Sequence, residues 1–425
     1  MTAIGRSLTM KMLQSKNENL VYTVRGDNEL HITMLCSYFN FKTGGLEKHV
    51  YYLARGLTKH GIKVTLITAY KDPYTSATIP PYEGDNLTII PLKYYIAPLN
   101  NPLLHGLPKV LSKINSDVIH VHDHYFYGSV ILSFLKKIIR RPLVLTIHTS
   151  KLRYDNFWKN LVSDVYDISV SRTIFKASDK IITVTRTTAY ELISRGLPED
   201  KLVYIPNFLT VDSLEEYDEK TYNDIKNSER FKILYVGRLV YRKGLHILLD
   251  AFNIALRDCI IPQDSLLMIV GKGPLEVKLR RSVELNPNLK GRIMFWGAVT
   301  DSVLGALYRA CDVVVLPSLS GETTSLVLQE AILLEKQFIA SLVSGVYDYL
   351  LDGFWGFYVP PGDVRALAES LGKAYKLLTE NQKFIRKKVR ENKEKLLKTR
   401  SSEHIILRTI QTYYKAINNY AEKYG

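Results

Sequence analysis

Short runs of β-branched and aliphatic residues alternate with amphipathic helical patterns along most of this chain. Runs of that kind, separated by helices, are typical of parallel strands in a sheet that is covered on both faces. The first half contains HITMLCSY, IKVTLIT, LTIIPL, DVIHVH, PLVLTIH, KIITVT and LVYIP. The second half contains FKILYVG, SLLMIVG, RIMFWG, DVVVLP, QFIASL and FYVP. The pattern therefore predicts an α/β protein.

The alternation fails once, in a polar and acidic segment near the middle of the chain, and 425 residues are enough for two or three domains. We predict Rossmann-like domains at 31–207 and 231–400, joined by a linker at 208–230. Residues 1–30 are predicted to be an irregular extension, and 401–425 a helix that returns to the N-terminal domain. Open α/β sheets bind ligands beyond the carboxyl ends of their strands, so a cleft between the domains is the predicted site.

The composition limits the kinds of ligand and partner that the chain is expected to bind. The chain has 57 Lys and Arg against 42 Asp and Glu, a formal charge of +15, so it should attract lipid headgroups, nucleic acid or phosphorylated substrates. No apolar run approaches the ~18 residues of a membrane span. No motif that reads nucleic acid accompanies the lysine-rich stretch at 383–400, so nucleic acid is not expected. The cysteines, which are widely spaced among aliphatic residues, are predicted to be buried thiols in a reducing cytoplasm: Cys36, Cys259 and Cys311.

Two glycine-containing loops lie between a strand and a helix. Gly44 and Gly45, in FKTGGLEKHV, would let the backbone come close to a ligand at a helix start that favours an anion, or would serve only a tight turn. The dinucleotide fingerprint G-x-G-x-x-G is absent, so NAD and FAD are not expected. In YVGRLVYRKGLHILLDAF, Arg238 and Lys243 would suit a diphosphate, or would be solvated surface charges.

Histidines follow the strands of the first half. His148, in VLTIHTS, lies at the carboxyl end of a predicted strand, where it is either a cleft residue or a satisfied structural group. His120, His122 and His124, in VIHVHDHY, resemble a metal cluster by composition and could share one face of a strand. The zinc interpretation is disfavoured, and no metal is expected.

The segment GETTSLVLQEA places Glu330 inside a helix that is apolar almost all round. A carboxylate there is costly unless hydrogen-bond donors meet it, and the hydroxyls of a ribose would do so. Glu322 lies in the preceding loop, where a second sugar could donate to it. The alternatives are a structural ion pair for Glu330 and a solvated Glu322. Thr324 and Ser325 are suited to cap a helix that begins near Leu326.

Together these segments resemble the retaining nucleotide-sugar glycosyltransferases of family four, whose fold is GT-B, two Rossmann-like domains facing each other across a cleft. The resemblance runs from about residue 31 to 363, and the N-terminal third looks most like members that glycosylate lipids such as phosphatidylinositol. It implies that Glu330 holds the nucleotide ribose and that Glu322 and His148 act at the donor sugar. It further implies that Arg238 and Lys243 bind the diphosphate of the donor. The loop of Thr324, Ser325 and Leu326 would contact the donor sugar or its phosphate, and the loop of Gly44 and Gly45 would lie near the phosphate or the acceptor. The backbone at 296–299 would meet the base.

The activity that this resemblance implies is retaining transfer of a hexose or an N-acetylhexosamine. The donor would be a UDP- or GDP-sugar, the acceptor a lipid or a glycan, and neither a metal nor another cofactor is implied. Basic residues on predicted helices suggest peripheral binding to the anionic inner face of a membrane from the cytoplasm, or merely a solvated face: Lys136, Lys137, Arg140 and Arg141, with Lys109 and Lys113.

The chain also departs from the family pattern. Ser325, Glu335 and Gln337 stand where glycine, glycine and proline are common, and Ser344-Gly345 replaces a double glycine before an acid that we assign to Asp348. Two alternatives to a glycosyltransferase remain. An epimerase or hydrolase of nucleotide sugars can share the GT-B architecture, but the full set of arginine, lysine and two glutamates disfavours it. The departures at Ser325, Glu335 and Gln337 leave open a non-catalytic subunit.

Overall fold

A computed structural model of the chain describes residues 11–13, 21–23, 30–38, 45–71, 82–84, 86–95, 101–148, 157–208 and 216–424. The strands are β1 (Lys11–Leu13), β2 (Val21–Thr23), β3 (His31–Leu35), β4 (Lys63–Ala69), β5 (Tyr82–Gly84), β6 (Leu87–Leu92), β7 (Val118–His122), β8 (Leu143–Ile147), β9 (Lys180–Thr183), β10 (Leu202–Tyr204), β11 (Lys232–Val236), β12 (Leu266–Val270), β13 (Ile293–Gly297), β14 (Val313–Leu316), β15 (Gln337–Ser341) and β16 (Phe357–Val359). The helices are α1 (Gly45–Lys59), α2 (Leu107–Lys113), α3 (Tyr127–Ile139), α4 (Phe157–Ala177), α5 (Arg186–Ser194), α6 (Glu219–Lys226), α7 (Leu245–Arg257), α8 (Glu276–Glu284), α9 (Asp301–Ala310), α10 (Leu326–Leu333), α11 (Ser344–Leu351), α12 (Val364–Glu380), α13 (Gln382–Arg400) and α14 (Ser402–Tyr424).

The first sheet has the strand order β10-β9-β8-β7-β3-β4-β6-β5, and all its strands are parallel except β5. Alternate side chains of its central strands enter two separate apolar clusters, one beneath α1 and α14 and the other beneath α2, α3 and α5. The helix stripe predicted from the sequence contributes Val50, Leu53 and Leu57 to the first cluster. Both faces are therefore covered, as the apolar runs predicted.

The second sheet has the order β13-β12-β11-β14-β15-β16 and is parallel throughout. One face packs on α7 and α12, the other on α9, α10 and α11. In a parallel sheet all carboxyl ends lie at one edge, and the loops that leave that edge, with the helix α10 that follows one of them, carry the predicted site residues of this half.

Three expectations need correction. Residues 11–13 and 21–23 form an antiparallel ribbon rather than irregular structure. The predicted linker contains α6, which Asp218 caps by accepting a hydrogen bond from the Thr221 N–H and which packs on α9. Cys259 is exposed, because it lies in the turn after α7 with φ 54°, whereas Cys36 and Cys311 are buried.

The final helix α14 packs on α1 and on β7, β8 and β9 of the first sheet. The Tyr413 hydroxyl on α14 lies 2.8 Å from His120 Nδ1 on β7. Among the described residues, no helix combines the length and the apolar character needed to cross a membrane.

Candidate functional site

The carboxyl edges of the two sheets meet. The Thr324 hydroxyl, on the loop between β14 and α10, donates to the Val184 carbonyl at 3.0 Å, and Val184 follows β9. The same hydroxyl accepts from the Asn207 N–H at 3.3 Å. The Thr187 hydroxyl, at the start of α5, donates to the carbonyl of Ser344, the first residue of α11, at 2.7 Å. These bonds place the loops of both domains along one cleft.

Glu322 is buried and paired. Its carboxylate accepts hydrogen bonds from the Lys243 ammonium and, at 2.6 Å, from the Ser318 hydroxyl. The whole residue is 5% exposed, so the alternative of a solvated Glu322 is wrong. Its backbone is held as well, because the Gly345 N–H donates to the Glu322 carbonyl at 3.1 Å.

The loop after β11 is hydrogen-bonded to the loop after β14. The Leu319 N–H donates to the Arg242 carbonyl at 2.8 Å, and Arg242 Nη1 donates back to the Gly321 carbonyl at 3.0 Å. Gly244 has φ 68°, and a Cβ there would lie 1.9 Å from the Pro317 carbonyl oxygen, so glycine is required. This close approach brings Lys243 to Glu322, while Arg238 stays exposed on the same loop.

Glu330 is half-buried on α10, and its Oε2 accepts a hydrogen bond from the Tyr308 hydroxyl on α9 at 2.7 Å. Tyr308 is fully buried, and both burial and the charge of Glu330 raise the pKa of its phenol well above the usual value. The phenol therefore keeps its proton and remains a donor. This partner could not be predicted from the sequence, because it belongs to another helix, 22 residues away.

The start of α10 agrees with the sequence prediction. Ser325 is the N-cap, with its hydroxyl accepting from the Leu328 N–H at 3.4 Å, and Leu326 is the first helical residue. The Ser325 carbonyl accepts from the Tyr349 hydroxyl at 3.1 Å. Ser325 has φ −67°, so serine stands without backbone strain where glycine is common in the family.

His148 lies just past β8 in a buried histidine cluster. Its Nε2 is 3.0 Å from His122 Nδ1, and the ring of His49, from α1, lies 4.8 Å away between centroids. Burial lowers the pKa of His148 to about 4 and that of His120 to about 3, and it lowers the pKa of His49 and of His122 well below the ordinary value. These rings are neutral at physiological pH. His49 was not predicted, because only the fold brings α1 beside β7 and β8.

The triplet that resembled a metal cluster in the sequence does not converge. His120 lies between the Tyr413 and Thr146 hydroxyls, at 2.8 and 2.7 Å, and His124 Nδ1 is 3.2 Å from Asp123 Oδ1. Within the described residues, the one set of three potential ligands is His49, His122 and His148, whose ring nitrogens lie within 4.8 Å of one another. Nitrogens that share one zinc at ~2.0–2.1 Å would be roughly 3.4 Å apart, so the set is wider than a formed zinc site.

Other predicted residues have different surroundings. Gly44 lies outside the described residues, and Gly45 is the first residue of α1. Asp348, assigned as the acid of the donor site, instead accepts from the Arg186 N–H at 3.2 and 3.1 Å across the domain boundary. Burial raises the pKa of Asp348 to about 6. Glu335 and Gln337 point away from the cleft, to Lys393 at 2.9 Å and to the Ala374 carbonyl at 3.3 Å.

The basic residues of α3 do not form one solvated face. Lys136 is paired with Asp179, and Arg141 lies beyond the helix and donates to the Ile114 carbonyl. Lys137 and Arg140 are exposed. The exposed surface also includes Phe134 and Ile138, which are 70% and 76% exposed.

Two family models match separate parts of the chain. A model of Glycosyltransferase Family 4 matches residues 43–213, and one of Glycosyl transferases group 1 matches residues 230–376. The chain is 29% identical to a phosphatidyl-myo-inositol mannosyltransferase of Mycobacterium leprae, over 80% of this chain and 86% of the relative. It is 25% identical to an O-antigen chain mannosyltransferase C of Escherichia coli, over 80% and 86%.

Solved structures show the fold. Anabaena HepE, crystallised with UDP and glucose, is 18% identical with a TM-score of 0.67, covering 91% of this chain and all of that one. Sucrose-phosphate synthase from Thermosynechococcus elongatus is 20% identical with a TM-score of 0.69, covering 92% of this chain and all of that one. The paired sheets, which face each other across a cleft, are the GT-B fold.

Proposed function

This chain is a glycosyltransferase of family 4, and we propose that it moves a hexose or an N-acetylhexosamine from a nucleoside-diphosphate sugar to a lipid or glycan acceptor, with retention of configuration. The observation that carries the proposal is the ion pair between the part-buried Lys243 and the buried Glu322 at the carboxyl edge of the second sheet, in the loop that leads into α10, the helix that bears Glu330. UDP and GDP are the proposed nucleotides.

Lys243 and Arg238 are the proposed diphosphate ligands. When the glycosidic bond breaks, negative charge grows on the leaving phosphate oxygen, and a fixed cation there stabilises the transition state more than the bound donor. Lys243 Nζ has three donors, of which Glu322 uses one. Glu322 therefore holds the ammonium in place while other N–H bonds remain for the phosphates.

Glu330 is the proposed ribose ligand. The Tyr308 hydroxyl donates to its Oε2, and an ionised carboxylate, which has about four acceptor positions, is the group proposed to accept from the paired hydroxyls of the ribose. The backbone N–H groups at Ser325 and Leu326, at the start of α10, would face phosphate or sugar oxygens. Thr324 instead joins the two domains.

His148 is the proposed hydrogen-bonding partner of the transferred sugar. The contact between its Nε2 and His122 holds the His148 ring in one orientation. Because the ring is neutral, it cannot serve as a strong acid. Attack by the acceptor on the face from which the phosphate leaves, assisted by that phosphate, accounts for retention. The cations and the helix start supply the charge stabilisation, so no metal or other cofactor is proposed.

The acceptor is proposed to be a lipid, because relatives named phosphatidyl-myo-inositol mannosyltransferases span most of the chain. We propose peripheral attachment to the inner face of a membrane from the cytoplasm. Phe134 and Ile138 lie one turn apart on α3 and flank the exposed Lys137, which suits an anionic interface. Flotation with anionic liposomes at low salt tests this attachment, and failure to float contradicts it.

The activity is tested by offering UDP-, GDP- and ADP-sugars with a lipid extract and identifying products by mass spectrometry and NMR. We expect a glycosylated lipid with the anomeric configuration of the donor. Release of free sugar or an isomerised donor would favour an epimerase or hydrolase. Donor binding without any turnover would favour a non-catalytic subunit.

A further inference from the structure

A pocket of about 530 Å³ lies in the N-terminal domain, away from the cleft. It is formed by the end of α4, the turn after α5, the start of β10 and the end of α14. Five of its lining residues are cations and none is a carboxylate, and apolar side chains line the rest: Arg172, Lys176, Arg195, Lys201 and Lys423; Phe175, Leu197 and Pro198. We call it the basal pocket.

The positive charge of the basal pocket is only partly balanced. Arg195 pairs with Glu191, which lies outside the lining. Lys201 donates to the Lys176 and Ser178 carbonyls at 3.2 and 3.0 Å, and so caps the end of α4. Among side chains that the structure describes, no carboxylate lies within ion-pair distance of Arg172, Lys176 or Lys423, although Asp179 and Asp200 both lie within electrostatic reach of Lys201.

Neighbouring cations also repel one another across this region. Burial lowers the pKa of Lys201, and the charge of Lys423 lowers it further. Burial also lowers the pKa of Lys136, and the neighbouring Asp179 partly restores it. The charges of Lys201 and Lys423 lower that pKa further. Such crowding is unfavourable for the protein alone and is relieved when an anion binds.

The pocket lies at the opposite edge of the sheet from the proposed donor site. Lys176 precedes β9 and Lys201 directly precedes β10, so both lie at the amino ends of these strands. His148 and Arg186 follow the carboxyl ends of β8 and β9. The end of α3, with exposed Lys137 and Ile138, is at the same edge as the pocket, because α3 precedes β8.

We propose that the basal pocket binds a phosphate-bearing anion, with the guanidinium of Arg172 and the ammonium groups of Lys176 and Lys423 on the phosphate. Charge-assisted bonds of this kind are the strong class, and an arginine suits two phosphate oxygens at once. Phe175, Leu197 and Pro198 would contact the less polar part of the molecule that carries the phosphate. The ligand is either a lipid headgroup or a free phosphate compound, and the site does not depend on sugar transfer.

The test uses the full chain and a charge-matched control. The pocket variant carries Arg172→Gln, Lys176→Gln and Lys423→Gln, which are exposed positions, and it keeps Lys201 because that residue caps α4. The control variant carries three exposed substitutions in the C-terminal domain: Lys373→Gln, Lys376→Gln and Lys387→Gln. Both lose the same net charge. Equal melting temperatures would show that both remain folded.

Binding is measured by calorimetry with inorganic pyrophosphate, and by flotation with phosphatidylcholine vesicles with and without phosphatidylglycerol. We expect the pocket variant to lose one pyrophosphate site, with affinity there falling by about tenfold or more, while the control keeps it. Any site in the cleft is common to both variants and cancels in the comparison.

Each combination of results either supports the basal pocket as an anion site or overturns it. Loss of both pyrophosphate and phosphatidylglycerol binding supports the pocket and assigns a lipid headgroup. Loss of pyrophosphate alone supports it and assigns a free phosphate compound. If the pocket variant matches the control with pyrophosphate, the proposal is overturned, and a vesicle defect without a pyrophosphate defect then indicates only a diffuse basic surface.

Discussion

At the scale of single residues, the site depends on carboxylates that are held by partners. Glu322 has Lys243 and Ser318, and Glu330 has Tyr308. A buried carboxylate without donors would be strongly destabilising, so these partners are part of the reason that the fold tolerates both glutamates. The same partners fix the directions in which the remaining lone pairs and N–H bonds point.

The Lys243–Glu322 pair yields the first prediction. Lys243→Met leaves Glu322 buried without its cation, and we expect the free energy of unfolding to fall by about 3 kcal/mol, measured by urea denaturation. The double variant Lys243→Met with Glu322→Gln should recover most of that stability and none of the transferase activity. Recovery of activity in the double variant would show that neither charge is needed.

At the scale of elements, α10 ends in a Schellman motif. The Lys336 N–H donates to the Ala331 carbonyl at 2.8 Å and the Glu335 N–H to the Ile332 carbonyl at 3.1 Å, with Glu335 at φ 55°. This is the left-handed position that favours glycine, so the departure of Glu335 from the family pattern costs backbone strain and does not alter the site.

Relief of that strain is the second prediction. Glu335→Gly should raise the free energy of unfolding by about 1 kcal/mol and leave donor affinity unchanged, because Glu335 is at the far end of α10 from Ser325. Lys393→Ala, which removes the surface ion pair of Glu335 and keeps the strain, should change stability by less than about 1 kcal/mol. A loss of stability in Glu335→Gly would refute the strain.

The buried histidines of α1, of β7 and of the residue after β8 make the stability of the fold depend on pH. Their folded-state pKa lies below the ordinary 6.5, so on acidification the unfolded chain takes up protons first. Stability should be complete above about pH 6.5 and fall as the pH drops toward 4, by about 1.4 kcal/mol per pH unit for each ring that stays neutral. Urea denaturation across this range measures the slope.

Variants assign that slope to the cluster. His49→Phe keeps a ring beside Phe208 and removes one titrating group, so its stability should fall less steeply with pH than that of the unmodified protein. Equal slopes in His49→Phe and in the unmodified protein would mean that His49 is not held neutral.

Some elements and residues could be predicted from the sequence alone, and others could not. Every strand predicted from the apolar runs is present, because period and length are local properties of the chain. The cap at Ser325 was predicted for the same reason. Tyr308, His49 and Arg186 were not, because each meets its partner only through the packing of elements far apart in sequence. The ribbon formed by β1 and β2 was missed because its strands have only three residues each.

At the scale of the whole molecule, Arg186 joins the two domains. Its Nη1 lies 2.6 Å from Asp352 Oδ1, its N–H donates to Asp348, and its guanidinium lies 4.5 Å from the Tyr204 ring centroid. Arg400, which is 1% exposed, reaches Asp352 at 3.1 Å from α13. The relative position of the domains therefore depends on a small charged cluster at one end of the cleft.

Arg186→Met is expected to loosen that contact while each domain stays folded. The radius of gyration from small-angle X-ray scattering should increase, and the KM for donor should rise because both domains line the cleft. Arg55→Met is the matched control, since Arg55 makes a hydrogen bond and a ring contact with Tyr51 within one helix. An unchanged radius of gyration and KM in Arg186→Met would show that other contacts set the domain position.

Glu330 is assigned to the nucleotide of the sugar donor, and calorimetry of donor binding to Glu330→Ala tests this assignment. Glu369→Ala, an exposed position on α12, removes the same charge from the same domain. We expect Glu330→Ala to stay folded and to lose about a hundredfold or more in affinity for UDP- or GDP-sugar, while Glu369→Ala binds normally. Donor affinity in Glu330→Ala equal to that of Glu369→Ala would contradict the assignment.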